Sequence, residues 1–175
     1  MREVEQKAAE RKRELAKRAA TSLGHRAVIE FSRFTSKFDM HIFNLKENVA
    51  EGTLSGGHYL PTLPPYSHVT IIKVSEETGA AIVDLLVENT EARDGVLTKN
   101  LHTVFNPAWT ELEVLEEIDS AYQNQYKTPK ILRDGMMRWW GKSRSGVRII
   151  GITYPDGVIR TGYPDSKGIR KNSQM

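Results

Sequence analysis

The chain has 175 residues, 39% of them hydrophobic and 27% charged, with a formal net charge of +3, a pI near 9.1 and a mean hydropathy of -0.47. Such a length can bury a core without staples, and the lack of cysteine excludes disulfide frameworks, thiolate nucleophiles and cysteine-ligated zinc. No apolar run is long enough to span a bilayer, and residues 1–22 lack the apolar centre of a signal peptide, so the chain is expected to be soluble and not self-exporting. The small positive charge permits an anionic partner without requiring one.

Residues 2–20 mix alanine and leucine with Glu, Lys and Arg and contain neither glycine nor proline, which predicts a helix. A charged helix or linker over 1–24 is thus expected ahead of one domain over 25–175. Seven cationic and four anionic side chains in residues 1–22 suit either a solvated connector or a basic arm that tracks RNA. From 25 to 48 the apolar positions, among them Phe31, Phe34, Phe38, Ile42 and Leu45, recur at three and four, predicting one or two short buried helices with His41 near an end. Gly52, Gly56, Gly57, Pro61, Pro64 and Pro65 make 48–65 a structured loop, in which glycines free the His58 imidazole to project.

Residues 69–74 and 80–87 read as a hairpin, and 96–105 as a further strand. Simple alternation in that strand puts Lys99, Leu101 and Thr103 on one side, with Asn100 and His102 on the other. Asn106-Pro107 breaks it, and Thr110 with Glu113 opens a capped helix whose acidic first half would repel RNA. Residues 127–146 read as a short amphipathic piece with a basic loop at Lys142 and Arg144, and Trp139 and Trp140 read as core rather than as a base-stacking platform. Residues 147–154 and 158–164 form the clearest hairpin, which aligns Thr161 with Tyr163. Residues 165–175 are polar and expected to fray.

Three of these residues suggest a reaction. Two imidazoles and an ammonium can cleave a phosphodiester without a metal, one ring taking a proton, the other giving one, and the cation holding the charge that builds on the phosphoryl oxygens. His41, His58 and Lys99 are the candidates. With ordinary pKa values near ~6.5, imidazoles can divide acid and base roles at neutral pH.

Over about residues 39–164 the order of motifs resembles the EndoU-type endoribonucleases, especially the bacterial branch found as C-terminal toxin domains of contact-dependent growth inhibition and polymorphic toxin systems. The resemblance rests on Met40-His41-Ile42, Gly56-Gly57-His58, Lys99 followed after four residues by Thr103, Asn106-Pro107-x-Trp109-Thr110, and Thr161-Gly162-Tyr163-Pro164. The second histidine that often follows the Gly-Gly-His motif is replaced by Tyr59, and Tyr154-Pro155 is a rival to Tyr163-Pro164.

That resemblance implies an α+β fold of the EndoU-like, RNase A-like superfamily, with N-terminal helices followed by antiparallel sheets flanking a cleft. It implies transesterification by the neighbouring 2′-hydroxyl, giving 2′,3′-cyclic phosphate and 5′-hydroxyl ends, with His41, His58 and Lys99 catalytic and no metal or other cofactor. Either histidine could be the base; His58 as base and His41 as acid is the working assignment. Gly57, Thr103, Thr161 and Tyr163 would bind substrate, with a preference for pyrimidine, notably uridine. In toxin relatives transfer RNA is a frequent substrate, a cognate immunity protein blocks the site, and the domain is delivered on a larger exported protein into a target cell's cytoplasm. Two other readings compete: a non-catalytic RNA-binding or interaction module on the same fold, and a metal-dependent hydrolase using His41, His58, His68 and Asp84, whose spacing is loose for a metal site.

Overall fold

Elements are placed by a computed structural model that describes residues 42–172. The predicted helix over 2–20, the segment 25–41 and His41 itself lie outside the described residues. Those described fall into two compact units, one built from 42–108 with 163–172, the other from Trp109–Gly162. Strands dominate and helices are few, an α+β composition in line with the sequence.

The first unit holds a five-stranded sheet: β1 (Leu45–Asn48), β2 (Thr53–Gly56), β3 (Ser67–Val74), β4 (Ala81–Glu88) and β5 (Val96–Val104), in the order β1-β2-β5-β4-β3. Val83, Leu85 and Val87 alternate along β4 and meet Leu97 and Val104 of β5 and Leu54 of β2 in a closed apolar layer. Each such burial stabilises the unit by roughly 1.5–3 kcal/mol.

Two expectations change here. The span 45–48 is strand rather than helix, pairing with β2 across a turn in which the Glu51 and Gly52 N–H groups bond back to the Asn48 and Val49 carbonyls. Four-residue strands are too short to show a period of two, and Leu45 falls in step with the helical spacing before it. The sheet is also mixed, not purely antiparallel. The β3–β4 hairpin intervenes between β2 and β5, so β5 returns parallel to β2.

The second unit opens with α1 (Glu111–Gln123), where the Thr110 hydroxyl accepts from the Glu113 N–H at 3.1 Å, the predicted cap. An antiparallel sheet follows: β6 (Gln125–Ile131), β7 (Met137–Lys142), β8 (Arg148–Thr153) and β9 (Ile159–Pro164), in chain order. The amphipathic piece expected over 127–146 is therefore a strand hairpin, β6–β7, whose polar alternation was masked by Pro129 and two register shifts. Trp139 is core as expected, edge-on to Tyr122 of α1. Its ring lies over Gly151, its cross-strand partner, where any Cβ would collide with the indole.

The acidic load of α1 does not all face solvent. Glu117 is 3% exposed and takes hydrogen bonds from Arg144 Nε, the Ser145 N–H and the Ser145 hydroxyl. Glu116 pairs with the same guanidinium. Partial burial opposes the Arg144 charge, but hydrogen bonds and Coulombic attraction from both carboxylates outweigh it and raise its pKa. Much of the acidity thus ties the β7–β8 turn to the helix.

The tail is helical through Asn172. Residues 166–172, expected to fray, form α2 (Ser166–Asn172), with the Asp165 carboxylate accepting from the Lys167 N–H and Ile169 buried on the first unit. A single apolar residue anchors it, which leaves no periodicity to read.

Candidate active site

β2 delivers the chain into Gly56 and Gly57, both at left-handed φ (71° and 67°). A side chain at Gly57 would also press on Leu63 and Leu45, so the second glycine is required twice over. The turn sets His58 beside the end of β5. Its N–H donates to the Ile42 carbonyl at 2.6 Å, and its carbonyl accepts from the Phe105 N–H at 2.8 Å.

The imidazole is 7% exposed and held on several sides. His58 Nδ1 lies 2.7 Å from the Thr103 carbonyl oxygen. A carbonyl only accepts, so Nδ1 carries the hydrogen and His58 exchanges its proton at Nε2. His102 stacks on His58 with ring centroids 4.3 Å apart, and Tyr163 stacks on it at 5.0 Å. His102, 3% exposed, places its Nε2 3.1 Å from the Gly57 carbonyl, so each histidine is fastened to the backbone beside the other.

Alternation along β5 fails at one point. Val83 pairs with His102 but Leu85 pairs with Lys99, so an extra residue enters the ladder opposite Asp84. That residue is Leu101, at φ 53°, its N–H held by the Asp84 carboxylate at 2.9 Å. Val83 and Leu85 share a face of β4, hence Lys99 and His102 share a face of β5. Thr103, opposite Ile82, points the other way. The expected alignment of Lys99 with Thr103 is corrected by this bulge.

Gly57, His58, Thr103 and Tyr163 are therefore gathered within one unit, Thr103 through its main-chain oxygen. Lys99 is exposed, on the face that also carries His102. Among the described residues no carboxylate lies within ion-pairing distance of its ammonium. Thr161 belongs to the other unit; its hydroxyl is buried without a hydrogen-bond partner among the described residues. Of the rival tyrosines, Tyr163 stacks on His58, whereas the Tyr154 carbonyl closes the β8–β9 turn. His41 lies outside the described residues.

His102 is the residue that the sequence reading missed. Simple alternation set it on the face away from Lys99, and nothing marks Leu101 as a bulge, where glycine or asparagine is the usual signal.

A family model described as Bacterial EndoU nuclease matches residues 35–166. No curated protein and no solved structure matches the chain. The matched span reaches into both units and takes in every element from β1 to β9. The chain belongs to the bacterial EndoU nuclease family, and its activity is in general terms that of an endoribonuclease.

Proposed function

We propose that the chain cleaves RNA without a metal, by attack of the 2′-hydroxyl on the adjacent phosphorus, with His58 as base, His41 as acid and Lys99 as the charge-stabilising cation. The observation that carries this reading is the anchoring of His58: with Nδ1–H committed to the Thr103 carbonyl, Nε2 is the nitrogen that accepts a proton. The 2′-hydroxyl gives its proton to Nε2 as the O2′–P bond forms. The P–O5′ bond then breaks, and the leaving 5′-oxygen takes a proton from His41. Lys99 and the Gly57 amide would offset the charge on the phosphoryl oxygens.

Tyr163 orients His58 by stacking on its ring, and its contact with a base is carried by the motif resemblance. A base contact from the Thr161 hydroxyl is likewise carried by the motif resemblance. Uridine preference, a transfer RNA substrate, a cognate immunity protein, delivery on a larger exported protein, action in a target cell's cytoplasm and the RNase A-like superfamily assignment are carried by the motif resemblance. Incubation with total RNA in EDTA should yield 2′,3′-cyclic phosphate and 5′-hydroxyl ends, enriched after uridine. Products with a 3′-hydroxyl would exclude the mechanism, because 2′-hydroxyl attack cannot make them.

His102 acts in this scheme as a positioning residue for His58. His102→Phe keeps a ring against His58 but loses the bond to the Gly57 carbonyl, so kcat should fall about 3- to 10-fold with little change in KM. His102→Leu loses the ring stack as well and should fall further. A His102→Phe variant with the parent's kcat would reduce His102 to a packing residue.

A further inference from the structure

We propose that the face of the β6–β8 sheet turned away from α1 is a second RNA-binding surface, one that tracks the phosphate backbone. The inference rests on the reading of the chain as a ribonuclease. Its residues belong to the unit that does not carry His58.

Trp139, Gly141 and Ile149 are buried on the α1 side, where Trp139 meets Tyr122 and Gly141 presses on the Ala121 backbone. Alternation sends their neighbours to the opposite face. Cross-strand pairing then assembles that face in rows: Lys130 with Arg138, Lys127 with Trp140, and Lys142 with Arg148. The expectation that both tryptophans are core is thereby corrected for Trp140.

The charge on this face is segregated. The whole chain carries 25 Lys and Arg against 22 Asp and Glu, yet β6, β7 and β8 contain five cations and no anion. Among the described residues none of the five is ion-paired. Two are held in place by rings. Lys127 Nζ sits 4.3 Å above the Trp140 ring, and the Arg148 guanidinium lies 5.6 Å from the Tyr126 ring. Those contacts keep the heads over the sheet and lower the entropy lost when a phosphate orders them.

Successive rows along a strand lie roughly 7 Å apart, on the scale of one nucleotide step of an extended strand. Five cations in register, without an ion pair among the described residues and interleaved with aromatic rings, suit a flexible polyanion. An acidic protein face is the competing occupant, and it would not produce the salt dependence described next.

The test is the triple variant Lys127→Gln, Lys130→Gln, Lys142→Gln, all exposed positions, assayed on polyuridylate and on a uridylyl dinucleotide. The dinucleotide has a single phosphate, which the reaction itself occupies. For polyuridylate KM should rise about tenfold or more near ~0.1 M salt with kcat unchanged, and the log–log salt slope should shrink by roughly 2. Dinucleotide cleavage should match the parent. An unchanged KM and slope would overturn the proposal and leave the surface to a protein partner. Equal losses on both substrates would overturn it too, by locating the damage in the catalytic unit. If the parent cleaves neither substrate, the ribonuclease reading fails separately; the same slope comparison on direct polyuridylate binding still decides the surface.

Discussion

Replacing His58 by alanine should lower kcat/KM for uridine-containing RNA by about 10²- to 10⁴-fold, the range for one general acid–base group. Two effects add. The Nε2 acceptor is lost, and so is the ring on which His102 and Tyr163 stack. His58→Gln separates them, because a glutamine amide can still donate to the Thr103 carbonyl, now 2.7 Å from Nδ1, but cannot take a proton at neutral pH. It should fold like the parent and be as inactive as the alanine variant. If either variant cleaves in EDTA at the parent's rate, His58 is not the base and the mechanism falls.

The parts of the fold legible in the sequence are those with length and contrast. β4 is eight residues with Val83, Leu85 and Val87 in strict alternation, and α1 announces itself through Thr110 and Glu113. The parts that were not legible are short or irregular. β1 and β2 have four residues each, and α2 rests on Ile169 alone. The site divides along the same line. Gly56-Gly57-His58 is a local motif, because glycine is what left-handed φ demands. The relation of His102 to Lys99 depends on a bulge at a leucine, which no local composition rule marks. Trp140 shows a related limit: adjacent tryptophans in a strand face opposite ways, so composition alone cannot make both core.

Lys99→Ala should lower kcat by about 10²- to 10³-fold, as removal of a preorganised charge stabiliser does, with KM far less affected. The reason lies in the bulge. In a regular β5 the Lys99 side chain would leave on the face opposite His102, but the added Leu101 turns the two onto one face. Lys99 is exposed, so its loss should leave the thermal midpoint nearly unchanged, which separates chemistry from folding. Lys99→Arg restores charge with a planar head of different reach and should recover only part of the rate. Leu101→Gly gives a sharper control, since glycine adopts φ 53° without strain. It should retain most activity, whereas Leu101→Val, β-branched at positive φ, should lose it together with stability. A Lys99→Ala variant with the parent's kcat would show that the bulge serves the sheet and not the reaction.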